Sequence, residues 1–119
     1  GLFDRDPMPR WSVGRVTLLG DSCHPMLPFM AQGAVMAIED GYTLAQCLAA
    51  AKGDHAAALR RYEDLRRKRT ATVQQMSRDN IAFFHNADID NLEARMNSHW
   101  DAHLLLYGCD AAGQDFTPD

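Results

Sequence analysis

No part of this chain is both long and apolar enough to cross a bilayer: no apolar run approaches the roughly 18–20 residues that a spanning helix needs, and no secretion-signal pattern opens it. Cysteine is scarce and odd in number. Cys23, Cys47 and Cys109 have no close-pair spacing, so reduced thiols in a cytoplasmic protein are expected rather than a disulfide framework. A surplus of positive charge is missing as well. The 12 Lys and Arg against 16 Asp and Glu leave a formal net charge of −4, which offers no basic face to nucleic acid. Strands are also few. Only one strong apolar run, Arg15 to Gly20, has strand character, whereas a buried parallel strand needs neighbours on both sides and helices on both faces. The shortage implies a portion of something larger.

What is present is ordinary for one globular domain: 119 residues, 46% apolar and 24% charged. The order predicted from pattern is mostly α with one or two short β-strands. Residues 1–32 hold the short strands and a Gly-Asp loop, residues 33–110 a three-helix region, and residues 111–119 a loose tail. The first helix is predicted from about Gly33 to Ala51, with Ala34, Ala37, Ile38, Gly41, Leu44, Ala45 and Leu48 on its packing face. Gly53-Asp54 supplies a stop and a new cap. The second runs from about His55 to Met76 or beyond, on a stripe of Leu59, Tyr62, Leu65, Val73 and Met76. The third runs from about Ile89 to Tyr107, with Gly108 as its stop.

The densest information lies between Gly14 and Asp40. A branched-apolar run, Val16-Thr17-Leu18-Leu19, ends in Gly20-Asp21; a Pro-rich loop follows, and Gln32-Gly33-Ala34 opens an Ala-rich helix. Carboxyl ends of strands are where open α/β sheets bind ligands. Helix N-termini carry unpartnered N–H groups at the positive end of the dipole. The combination suits a large, partly anionic cofactor.

Those residues resemble a known family. Trp11-x-x-Gly14-Arg15-Val16-x-Leu18-x-Gly20-Asp21-x-x-His24-Pro25-Met26-x-Pro28, continued by Ala31-Gln32-Gly33-Ala34-x-x-Ala37-Ile38-Glu39-Asp40, is similar to the second FAD fingerprint of single-component flavoprotein aromatic hydroxylases, above all their salicylate hydroxylase and 6-hydroxynicotinate 3-monooxygenase branch. Leu2-Phe3-Asp4-Arg5-Asp6-Pro7 and Tyr62-Glu63-x-x-Arg66-x-x-Arg69 also fit. The resemblance implies an enzyme that uses FAD, NAD(P)H and O2 to hydroxylate a small aromatic acid. It further implies the C-terminal portion of an α/β FAD-binding, glutathione-reductase-like fold with a helical tail. Asp21 would bond a ribityl or ribose hydroxyl of FAD, and Gly20 would let the backbone come close. Pro28 would lie beside the isoalloxazine ring, and Gln32, Gly33 and Ala34 would aim the helix start at the flavin N1–C2=O edge. A helix N-terminus contributes up to ~2 kcal/mol when partly buried, or roughly one pKa unit at flavin N1.

The family's first fingerprint, a Gly-x-Gly-x-x-Gly turn for the pyrophosphate, has no counterpart among the eight glycines. The expectation is therefore half an FAD site that is inactive alone, completed by a missing N-terminal portion, and prone to self-association if isolated. The competing reading is a non-catalytic helical self-association module derived from such an enzyme; a third keeps FAD but changes the reaction.

Other candidates carry blander expectations. His24, in a Pro-rich loop, is expected to be a structural hydrogen-bonder. His99 and His103 have helical metal-pair spacing but no third ligand, so no metal is expected. No residue is assigned a catalytic role. Arg66 and Arg69 fall within the apolar stripe of the second helix and need a carboxylate. Asp40 flanks the expected packing face of the first helix while Glu39 points away, so Arg66 or Arg69 is expected to pair with Asp40.

Overall fold

The structure is a computed structural model that describes residues 3–85, 96–97, 104 and 106–118. Its extended segments are short. β1 (Ser12–Val13) and β2 (Val16–Thr17) form an antiparallel hairpin, in register Ser12 to Thr17 and Val13 to Val16. The expected Arg15–Gly20 strand is thus cut to two paired residues, although Leu19 keeps extended angles. Val13 and Val16 stand exposed, because no other described strand lies beside the hairpin to cover them.

Two short 3-10 turns, Gly20–Ser22 and Pro28–Met30, interrupt the loop before α1 (Gly33–Ala50). The chain then reverses through Lys52 and Gly53, both at positive φ. Asp54 caps the following helix by accepting the Ala57 N–H at 3.0 Å. That helix, α2 (His55–His85), runs for 31 residues, about 46 Å at 1.5 Å per residue. The expected third helix lies largely outside the described residues. Within it Met96, Asn97, Leu104, Leu106 and Tyr107 are helical, and the Gly108 N–H closes the end on the Leu104 carbonyl at 2.9 Å.

Two apolar clusters form the core. Trp11, Cys23, Cys47, Ala58 and Tyr62 make one, with Trp11 and Tyr62 rings 5.8 Å apart. Met30, Met36, Val73 and Leu106 make the other. The tail expected to be loose carries no helix, yet Phe116 packs on the first cluster and Asp115 accepts from Arg61 through its carbonyl.

The packing face of α1 corrects the sequence expectation. Met36, Asp40, Thr43 and Cys47 are the buried residues, while Ala34, Gly41 and Ala45 are exposed and Ile38 is 73% exposed. Apolar periodicity picked the opposite side because it counts Asp and Thr as outward-facing. Here their polar atoms point inward, and the carboxylate at Asp40 is matched by donors.

α2 supplies those donors and more. Arg66, Thr70, Gln74 and Ser77 are fully buried along one stripe. The loop before α1 has little regular structure, so its carbonyls need partners from elsewhere. Tyr62 Oη donates to the Leu18 carbonyl at 3.2 Å, Gln74 Nε2 to those of Pro25 at 2.9 Å and Arg5 at 3.3 Å, and Asn80 Nδ2 to that of Phe29 at 3.3 Å. Ser77 Oγ reaches the Leu27 carbonyl, and Arg67 that of Pro9. In return Glu63 accepts the Ser12 N–H at 2.8 Å.

Candidate functional site

The turn at Gly20–Ser22 and the start of α1 border one groove of about 590 Å³. Its walls bring together Gly20, Asp21, Pro28, Gly33 and Ala34, five of the six residues singled out from sequence, with Met26 and Leu27 between them. The sixth, Gln32, is buried beside the groove and donates from Nε2 to Tyr107 Oη at 3.4 Å. A slightly larger groove of about 650 Å³ between α2 and the segment around Leu106 holds none of these residues.

Each wall has a local cause. Gly20 sits at φ +62, and a Cβ there would lie 3.2 Å from the Ala37 Cβ, so the absence of a side chain lets the turn close on α1. Asp21 follows it on the exposed side of the turn. A Cβ on Gly33 would stand 3.7 Å from Met26 Cγ and 3.9 Å from Asp21 Oδ1, within the groove; bare glycine keeps that space open. Gln32 contributes no side-chain cap to α1, so the first-turn N–H groups remain free of one. An uncapped helix start, an exposed carboxylate and two bare glycines in the wall fit a ligand that offers both hydroxyl donors and an electron-rich edge. These residues therefore suit FAD on their own chemistry.

Behind the groove lies a buried ionic junction. Asp40 is fully buried; its Oδ2 accepts the Gly20 N–H at 3.1 Å and lies 2.5 Å from His24 Nε2, and its Oδ1 accepts Arg66 Nε at 2.7 Å. Burial alone would raise the Asp40 carboxyl, but the hydrogen bonds from His24 and Arg66 outweigh it and hold it below the ordinary range. The carboxylate is thus ionised, and His24 Nε2 carries the shared hydrogen. His24 is the structural hydrogen-bonder expected.

Arg66, expected as one of two possible partners for Asp40, is the one that pairs with it. Glu39 does not point away, however. It accepts Arg66 Nη1 at 2.6 Å and takes Arg69 through Nε at 2.8 Å and Nη2 at 2.9 Å. Burial pushes the Glu39 carboxyl up, and the two arginines pull it lower still, below its usual value. Arg69 Nη2 also reaches the Leu106 carbonyl at 3.2 Å, which ties the C-terminal segment to α2.

Cys23, His24 and Asp40 cluster closely enough to offer three ligand atoms to a cation. Both Asp40 oxygens are already engaged, one by a guanidinium, and burial together with the Asp40 charge pushes the Cys23 thiol up to about 12. The cluster is built as a hydrogen-bonded junction.

The sequence expectation for α2 reaches Arg66 and Arg69 but not the buried polar stripe beyond them. The signal was available in the spacing: Arg66, Thr70, Gln74 and Ser77 recur at helical intervals on the stripe of Tyr62 and Val73.

A turn with a positive-φ glycine and an acidic residue thus lies against an uncapped helix start in one groove. Residues 5–77 match the family model described as FAD binding domain, and the chain belongs to that family, with FAD as its cofactor. It is 56% identical over 90 residues to the 6-hydroxynicotinate 3-monooxygenase of Bordetella bronchiseptica, covering 75% of this chain and 24% of that protein. Its structure matches a salicylate hydroxylase substrate complex with a TM-score of 0.76 at 29% identity, covering 91% of this chain and 28% of that one. It also matches CtdE in complex with FAD, with a TM-score of 0.65 at 32% identity over 87% of this chain and 28% of that one. The chain thus spans about a quarter of the length of the relatives it matches. None of the helices formed by the described residues is long and apolar enough to cross a membrane.

Proposed function

We propose that this chain is the C-terminal part of an FAD-dependent monooxygenase that hydroxylates a small aromatic acid at the expense of NAD(P)H and O2. The observation that carries the reading is the groove in which Gly20, Asp21, Pro28, Gly33 and Ala34 converge at the start of α1. Asp21 would accept a sugar-chain hydroxyl of the cofactor, and the Gly33 and Ala34 N–H groups would face the electron-rich edge of its ring. Pro28 would keep the ring's flank free of a donor, since proline has no N–H. Gln32 would act from beside the groove, through its backbone and its contact with Tyr107. The bound flavin supplies the redox chemistry, while the protein orients it and excludes water.

The rest of the site belongs to an N-terminal portion of the same protein in a glutathione-reductase-like arrangement, and this chain alone is inactive. The exposed apolar side of α1, with Ile38 and Leu48, and the bare valines of the hairpin are the surfaces that portion would cover. Expressed alone, the chain would bury them by self-association. Three free thiols suit a reducing, cytoplasmic setting. The relatives' names support the substrate class: one acts on 6-hydroxynicotinate and another on 3-hydroxybenzoate.

The test is visible absorbance of the intact protein after gel filtration. Retained flavin peaks, lost or weakened in Asp21→Ala, support the reading; a colourless protein that ignores added FAD overturns it.

A further inference from the structure

Asp40 does not line the groove, and none of the proposed cofactor contacts is made by its carboxylate. It nevertheless grips the groove from behind. Two of the three donors on Asp40, the Gly20 N–H and His24 Nε2, come from the residues that bracket the Asp21 turn. The His24 N–H also closes that turn on the Gly20 carbonyl at 3.0 Å. His24 Nδ1 finds no hydrogen-bond partner, so the imidazole is anchored through Nε2 alone. The third donor, Arg66, is itself fixed by Glu39, whose carboxylate accepts from Arg69 as well. A buried carboxylate is tolerated only when its lone pairs are engaged, so Asp40 has one stable placement, and the turn in front of it inherits that placement.

We propose that Asp40 is a positioning residue for the flavin site: by holding the Gly20 N–H and His24 Nε2, it sets the turn that presents the Asp21 carboxylate to the cofactor. Arg66 is the fixed counter-ion against which Asp40 is held. The inference rests on the reading of the groove as the FAD site.

The test measures FAD affinity of the intact apoprotein by quenching of flavin fluorescence, together with the position of the bound flavin's visible bands. Asp40→Asn is expected to weaken FAD by about tenfold or more, the scale of one charge-assisted hydrogen bond, and to shift the bands as Asp21→Ala does. If Asp40 acts through Asp21, the double variant loses little beyond either single one; independent effects would multiply to about a hundredfold. A multiplicative result overturns the inference, as does an Asp40→Asn that binds FAD like the wild type beside a weakened Asp21→Ala. An Asp21→Ala that binds unchanged overturns the groove reading itself and the inference with it. Should Asp40→Asn fail to fold, His24 carries the same test. His24→Gln retains an N–H donor and is expected to bind FAD within about twofold of wild type, whereas His24→Leu loses the affinity. Equal affinities for the two His24 variants overturn the inference.

Discussion

The two sides of α1 are inverted relative to ordinary expectation. The side that packs within this chain presents Met36, Asp40, Thr43 and Cys47, with a carboxylate at its centre; the side left open presents Ala34, Ile38, Gly41 and Ala45. Burial of the first is organised by direction. Asp40 and Glu39 meet Arg66 and Arg69 in fixed geometry, and the turn at Gly20 docks on the same carboxylate. The second side is non-directional, small-sided and suited to a flat partner. An amphipathic helix therefore need not aim its apolar stripe at its nearest neighbours; where the neighbours supply donors, the charged stripe can win.

The largest effect should come from breaking the directional side. Arg66→Met leaves Asp40 buried without its cation, and the loss should be about 3–5 kcal/mol in chemical denaturation of the intact protein. Acid attacks the same side without mutation. The folded-state carboxyls of Asp40 and Glu39 lie below their ordinary values of 3.8 and 4.5. The stability they contribute is thus fully present above those ordinary values and is lost as pH falls through the lower folded ones. The denaturation midpoint should hold between about pH 7 and pH 5 and fall below about pH 4. In Arg66→Met, the fall should begin at higher pH, because the cation that lowers both carboxyls is gone.

The open side gives the next effect. In the intact protein Ile38→Ala should cost about 2–5 kcal/mol, as for an interior residue. A change within about 0.5 kcal/mol, typical of a surface position, would show that nothing covers this side and would remove half of the contrast. The smallest expected effect lies where the sides meet. Gly20→Ala places a methyl 3.2 Å from the Ala37 Cβ at a left-handed backbone position, and thermal unfolding should report a loss of about 1–3 kcal/mol.

The limits of α1 and the start of α2 were legible because their signals are local, whereas the end of α2 at His85 has no such signal. Gly33 opens α1, Gly53-Asp54 separates the helices, and Asp54 caps α2 as its residue type predicts. The groove was legible for a similar reason, since its walls come from residues 19–37 and a short loop brings them together. What could not be read was which side of α1 turns inward. That depends on Arg66 and Arg69, 26 and 30 residues further on from Asp40 and Glu39, and on a donor–acceptor match that hydropathy does not encode. The strand expected over Arg15 to Gly20 is overestimated for the opposite reason. Val16 to Leu19 has strand propensity, but propensity alone pairs nothing, and among the described residues only β1 lies beside it.

α2 holds the loop through main-chain carbonyls at Arg5, Pro9, Leu18, Pro25, Leu27 and Phe29, and a carbonyl is the same acceptor whatever side chain it carries. Much of the loop's path is therefore written in α2, with Cys23, His24 and Met30 as the loop's own buried side chains that must stay. A lineage could exchange Met26 or Leu27 and so alter what lines the groove while these main-chain bonds stay in place. The same number of changes at Tyr62, Gln74, Ser77 and Asn80 would erase that path. Evolvability and constraint are thus divided between two segments joined by these hydrogen bonds.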